Sequence, residues 1–192
     1  MTAIDQKNII LIGYRGTGKT SVGQELARRL SWTFYDTDVL VEAREGRTIR
    51  AMVDDEGWVF FREREKEAIR SLRKIDRCVI ATGGGAVLDS ENARLLKSLG
   101  RIVLLTASEE VIVRRMITDP ATREQRPSFS GMDSTDASEE AVRKEATENL
   151  KQRMPIYRRL ADLIFDTSQA SLDEIVDEIL NHFSSNSGTR ST

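Results

Sequence analysis

The stretch Gly13-Tyr14-Arg15-Gly16-Thr17-Gly18-Lys19-Thr20 constrains this chain more than any other part of it. Its spacing, from the first glycine to the Lys-Thr pair, is that of a phosphate-binding loop. The run Ile9-Ile10-Leu11-Ile12 before it reads as a short buried strand. Val22, Leu26, Ala27 and Leu30 after it recur at helical spacing. In that setting the glycines let the backbone curl until several N–H groups point at one anion. The helix beginning at Lys19 adds its positive end. Lys19 would reach the outer phosphates of a nucleotide, and the Thr20 hydroxyl would ligate Mg²⁺. Such a loop declares a bound nucleotide but not a reaction.

Further strand-like runs alternate with helical ones: Thr33 to Tyr35, Cys78 to Ala81, Arg101 to Leu105 and Ala161 to Phe165. Five buried strands with crossover helices predict an α/β fold, a parallel sheet covered on both faces. The helical runs fall over 38–44, 48–74 with an interruption near Gly57, 90–99, 108–117 and 171–182. Residues 119–138 differ: they are rich in Pro, Gly, Ser, Thr and Asp and lack periodicity, the mark of a functional or disordered stretch. The 192 residues predict one domain, with a small polar tail from Ser184. Lys plus Arg number 29 and Asp plus Glu 31, a balance that argues against a general nucleic-acid binder. Cys78, the one cysteine, can form no internal disulfide. No apolar run approaches a membrane span, and the expected location is the cytoplasm.

The acceptor side must come from elsewhere. Asp36-Thr37-Asp38 lies just past the second strand, at the end where ligands gather in open parallel sheets. The third strand ends Ala81-Thr82-Gly83 without an acid, so Asp36 is the natural metal carboxylate. If the local chain is extended, Asp38 points to a different partner and is free to accept a proton from an attacking hydroxyl; it could instead cap the next helix. Gly83-Gly84-Gly85 permits close approach of a ligand, or is a plain tight turn. Arg62 and Glu65 share a helix face, either as a surface ion pair or as a braced fork for an anionic acceptor. Arg126 in the irregular stretch suits a closing loop that neutralises a transferring phosphoryl group, or is merely solvated. Arg153 lies in the helical region before the last strand and could likewise be a solvated residue.

Taken together, the phosphate loop, Asp36-x-Asp38, Phe61-Arg62-x-x-Glu65, Gly83-Gly84-Gly85, Arg126-Pro127 and Arg153-x-x-x-Tyr157-x-x-x-Ala161 resemble the shikimate kinase family in order and spacing. The resemblance covers about residues 8 to 183. It implies a P-loop kinase of the nucleoside monophosphate kinase type: a five-stranded parallel sheet in order 2-3-1-4-5 flanked by helices. Residues 1–183 would form the domain, with an acceptor-binding region over about 37–74 and a mobile lid over about 118–138. The implied reaction is phosphoryl transfer from ATP to the 3-hydroxyl of shikimate with Mg²⁺, in aromatic amino-acid biosynthesis, by a monomer that binds neither nucleic acid nor membrane.

Residue by residue, the resemblance assigns the nucleotide to Gly13, Gly16, Thr17, Gly18, Lys19, Thr20, Ser21, Arg115 and Arg126. It assigns shikimate to Asp38, Arg62, Gly84, Gly85 and Arg153, catalysis to Lys19, Asp38 and Arg126, and the metal to Thr20 and Asp36. Where the family's lid usually reads Arg-Pro-Leu-Leu, this chain has Arg126-Pro127-Ser128-Phe129. A related small-molecule kinase acting on gluconate or a nucleoside monophosphate, and a regulatory nucleotide-binding module, are the competing readings.

Overall fold

The computed structural model describes residues 7–118 and 139–185. Five parallel strands form one sheet: β1 (Asn8–Ile12), β2 (Thr33–Asp36), β3 (Cys78–Ala81), β4 (Arg101–Thr106) and β5 (Leu163–Asp166), in the order β2-β3-β1-β4-β5. The order is the expected one. The helices are α1 (Lys19–Leu30), α2 (Thr37–Glu45), α3 (Ile49–Ser71), α4 (Ser90–Leu99), α5 (Glu109–Thr118), α6 (Glu139–Leu160) and α7 (Leu172–Ser185). The last strand begins and ends later than its sequence signal, and α7 runs through Ser185, into the expected tail.

The strand period explains the layering. Odd residues of β1, Ile9 and Leu11, pack with Val79, Val103, Leu105 and Phe165 against α1 and α7. Even residues, Ile10 and Ile12, pack with Ile80, Ile102 and Leu104 against α3, α4, α5 and α6. Both faces of the sheet are therefore buried, as near-continuous Ile, Leu and Val runs require. A third, smaller cluster of Val41, Ile49, Met52, Phe61 and Ala68 joins α2 to α3 beside the sheet.

Asn8 closes the amino end of the sheet. Its amide donates to Ile75 O (2.9 Å) and Leu99 O (3.0 Å) and accepts from Cys78 N (3.1 Å). The carboxyl end is left for chemistry. The register pairs Asp36 with Ala81 and Ile12 with Leu104, so the segments after β1, β2 and β3 emerge side by side. Gly57 breaks α3 with φ 82° and ψ 172°, a backbone that favours glycine, and the second part of the helix swings Phe61 into the small core and Arg62 toward the sheet end.

Candidate active site

The phosphate loop turns on three glycines in positive φ: Gly13 (143°), Gly16 (78°) and Gly18 (87°). Gly13 also has no room for a side chain, since a Cβ would fall 2.3 Å from Leu105 O. Gly18 is the N-cap of α1, no side chain caps that end, and no acid occupies its first turn. The end is thus open to a phosphate group, favoured by the helix dipole. Lys19 Nζ reaches back to Tyr14 O (2.8 Å), as does the Thr17 hydroxyl (2.8 Å), so both side chains brace the loop from within. Ser21 is exposed next to Thr20. Arg115, from α5, supports the loop from outside: it donates to Gly16 O (3.0 Å) and to the Thr167 hydroxyl (3.0 Å) and carbonyl (2.8 Å).

Asp36 does not alternate with Asp38 along an extended chain. Helix α2 begins at Thr37, and Asp36 rather than Asp38 is its N-cap, accepting from Asp38 N at 3.0 Å. The capping preference of a short acid at a strand-to-helix turn overrides the strand period there. Asp36 Oδ2 also accepts from the Thr20 hydroxyl at 3.0 Å, so the two residues expected at a metal are in contact. Asp38 sits in the first turn of α2, half-buried. Thr37, fully buried between them, ties the turn to the glycines by accepting from Gly83 N at 2.9 Å.

The glycine turn is a seat for arginine. A Cβ on Gly85 would lie 2.4 Å from Arg62 Nη2 and 2.9 Å from its Cζ, so the guanidinium rests directly on that backbone. Arg62 Nη1 donates to Glu65 Oε2 at 2.7 Å, and the Glu65 side chain is 1 % exposed. That burial decides between the two readings of the pair. A surface pair leaves both groups in water, whereas a buried carboxylate bound to the guanidinium fixes it. Trp58 and Phe61 flank Arg62, with ring centroids 5.5 and 5.1 Å from Cζ.

Arg153 is 7 % exposed, not a solvated helix residue, and its guanidinium lies 5.5 Å from the Tyr14 ring centroid. Tyr157, one turn on, donates to Gly84 O at 2.5 Å. Lys19, Thr20, Asp36, Asp38, Arg62, Gly84, Gly85 and Arg153 are therefore gathered around the loop and the glycine turn at the carboxyl end of the sheet. Arg126 and nearly all of the expected lid lie outside the described residues. Sequence reasoning passed over Tyr14, Thr37 and Glu145. Glu145 binds Arg15 of the loop at 2.5 Å, yet on a charged helix its sequence neighbourhood matches that of a solvated acid.

The electrostatics of Asp36 yield a test. Burial, and then the neighbouring Asp38 charge, push its carboxyl above the usual carboxylate range. The folded state then holds this proton more tightly than the unfolded chain. The stabilisation is full below the unfolded value, about pH 4, and is lost as pH rises through the folded one. Asp36→Asn keeps a capping side chain but removes the charge. In metal-free buffer the variant melts at or above the parent at pH 7.5, and the difference vanishes on approaching pH 4. A variant that melts well below the parent at pH 7.5 would contradict this reading.

The shikimate kinase family model matches residues 15–184. A shikimate kinase of Syntrophus aciditrophicus is 72% identical over 184 residues, covering 96% of this chain and 94% of the relative. The structure superposes with a TM-score of 0.85 on a shikimate kinase from Acinetobacter baumannii in complex with shikimate, at 32% identity and 97% coverage of both chains. A gluconokinase from Sinorhizobium meliloti shares the fold, at TM-score 0.55 and 23% identity with 97% and 98% coverage. A family match across the body of the chain, a near relative over its whole length and the arginine-bearing glycine turn agree, and the chain belongs to the shikimate kinase family.

Proposed function

We propose that this chain transfers the γ-phosphoryl group of ATP to the 3-hydroxyl of shikimate, giving 3-phosphoshikimate and ADP. The observation that carries the reading is Arg62, braced by buried Glu65 and seated on Gly85 beside the phosphate loop. A fixed, planar fork suits a carboxylate better than a hydroxyl or a second phosphate chain. Arg153 supplies a second cation on the same side. The backbone of Gly84 and Gly85 forms the floor beneath the acceptor, and Asp38 holds its hydroxyls.

The loop amides and the α1 end bind the β- and γ-phosphates. Lys19 exchanges the Tyr14 carbonyl for a phosphoryl oxygen, and Arg115 lies on the adenine side. Thr20 and Asp36 fit Mg²⁺: a hydroxyl and a carboxylate oxygen 3.0 Å apart are hard donors. No group of three or more acids, histidines or cysteines poised for a metal occurs among the described residues. That suits an ion that completes its shell with phosphate oxygens and water. When bound, it neutralises charge on the nucleotide phosphates. Asp38 orients the acceptor hydroxyl and takes its proton, a contribution of about 10²–10⁴ where it acts as a base. Arg126, outside the described residues, is assigned to charge on the transferring group within a lid over 118–138. The acceptor region spans about 37–74 of a domain over 1–183. The enzyme acts as a monomer in the cytoplasm, and among the described residues no helix is long and apolar enough to cross a membrane.

ADP release measured side by side with shikimate, gluconate and CMP tests the proposal. Turnover with shikimate alone is the expected result; preference for either other acceptor overturns it. Gly85→Ala tests the seat. Gly85 has φ −99°, which alanine adopts freely, and the obstructed atoms end a flexible side chain. The variant therefore folds, displaces Arg62 and loses about 10- to 150-fold in shikimate affinity, as for a lost charge-assisted contact, with ATP affinity retained. Parental shikimate affinity would contradict the seat.

A further inference from the structure

The proposed reading divides the site by element: the loop for the nucleotide, the glycine turn and arginines for the acceptor. Tyr14 crosses that division. It stands inside the phosphate loop, between Gly13 and Gly16, yet its side chain is 2 % exposed and packs away from the loop's open face, in the core cluster shared with Ala146 and Tyr157 of α6. Two guanidinium groups bear on its ring, Arg153 at 5.5 Å and Arg15 at 5.8 Å from the centroid. Arg15 is in turn held to α6 by Glu145 at 2.5 Å, two turns before Arg153. Residues 14 and 15 of the loop are thus fastened to α6 at two points. The loop's nucleotide-facing work falls to its backbone and to Lys19, since the Tyr14 carbonyl, not its ring, receives the Lys19 and Thr17 bonds.

We infer that Tyr14 is a positioning residue for the acceptor: its ring holds the Arg153 guanidinium in the pose that takes the acceptor carboxylate. The inference rests on the proposed role of Arg153. A guanidinium over an aromatic face within about 6 Å is attracted by the ring quadrupole, most strongly where both are removed from water. Arg153 and Tyr14 are both more than nine-tenths buried. The long arginine side chain loses rotamer freedom on binding a ligand, and a ring that fixes it beforehand lowers that cost. A substitution inside the nucleotide loop therefore changes affinity for the other substrate.

The test is a set of binding titrations on the full chain, with shikimate read by tryptophan fluorescence and a fluorescent ATP analogue read separately. Tyr14→Leu weakens shikimate by about 3- to 30-fold, the span from an exposed to a desolvated cation–π contact, while ATP-analogue affinity stays within about twofold of the parent. Tyr14→Phe keeps the ring face and binds shikimate as the parent does, so the inference stays testable if Tyr14→Leu fails to fold. In that case an unimpaired ATP site with weakened shikimate binding in Tyr14→Phe overturns it. Because Tyr14 acts through Arg153, the double variant Tyr14→Leu/Arg153→Ala loses no more shikimate affinity than Arg153→Ala alone; additive losses overturn the inference. Arg153→Ala by itself reports on the underlying reading. If it leaves shikimate binding intact, the acceptor role of Arg153 falls. If it weakens binding while Tyr14→Leu does not, only the positioning role falls.

Discussion

The phosphate loop and the turn after β3 meet backbone to backbone. A Cβ on Gly84 would lie 3.5 Å from Arg15 N and Gly13 O, so nothing but main chain separates them. The parallel register of β1 with β3 brings the two segments to the same end of the sheet, and glycine on both sides lets them close. Everything else at the site is arranged around this contact. Thr37 fastens the turn from the α2 side, Tyr157 fastens it from α6, and Arg62 covers it from α3. A phosphoryl donor bound on one backbone and an acceptor bound on the other would be neighbours, and such positioning supplies much of the rate in phosphoryl transfer.

Charge is distributed to match. Cations stand on both sides of the contact: Lys19 and Arg115 bond to the loop backbone, Arg62 rests on the turn, and Arg153 lies against the Tyr14 ring. The carboxylates nearby have distinct tasks. Glu65 is buried against Arg62 and fixes it. Glu145 pairs with Arg15 and fixes the loop to α6. Asp36 caps α2 and touches Thr20, its carboxyl held above its ordinary range by burial, a cost that a bound cation would relieve. Desolvation of this kind gathers where function requires it.

Much of this was legible in the sequence, for identifiable reasons. The phosphate loop is a local motif in which residue type, order and backbone demand coincide, and the structure places glycine at each positive-φ position the turn needs. The central strands β1, β3 and β4 could be read because their buried runs are almost wholly apolar, whereas the edge strands β2 and β5 carry exposed or half-buried positions and gave weaker signals. The sheet order came with the family resemblance, since no local pattern encodes which strands pair. The spacing of Arg62 and Glu65 placed them on one face but gave no sign that Glu65 is buried, because that depends on α2, α3 and the sheet packing together. The seat of Arg62 on Gly85 joins residues of different elements and has no local signature. The period-2 reading of Asp36 and Asp38 failed because the chain leaves the strand at Asp36 and enters a helix it caps itself.

In the proposed reading, the braced guanidinium on the glycine turn selects an acceptor by its carboxylate. The direct measurement is a fluorescence titration comparing shikimate with its methyl ester, which keeps the ring and hydroxyls but removes the negative charge. Trp58, with its ring 5.5 Å from Arg62 Cζ, is the reporter. The parent is expected to bind the ester about 10- to 150-fold more weakly than the acid, the worth of a charge-assisted contact, and the gap to narrow in Arg62→Ala. Equal binding of acid and ester by the parent, or an undiminished gap without Arg62, would contradict it.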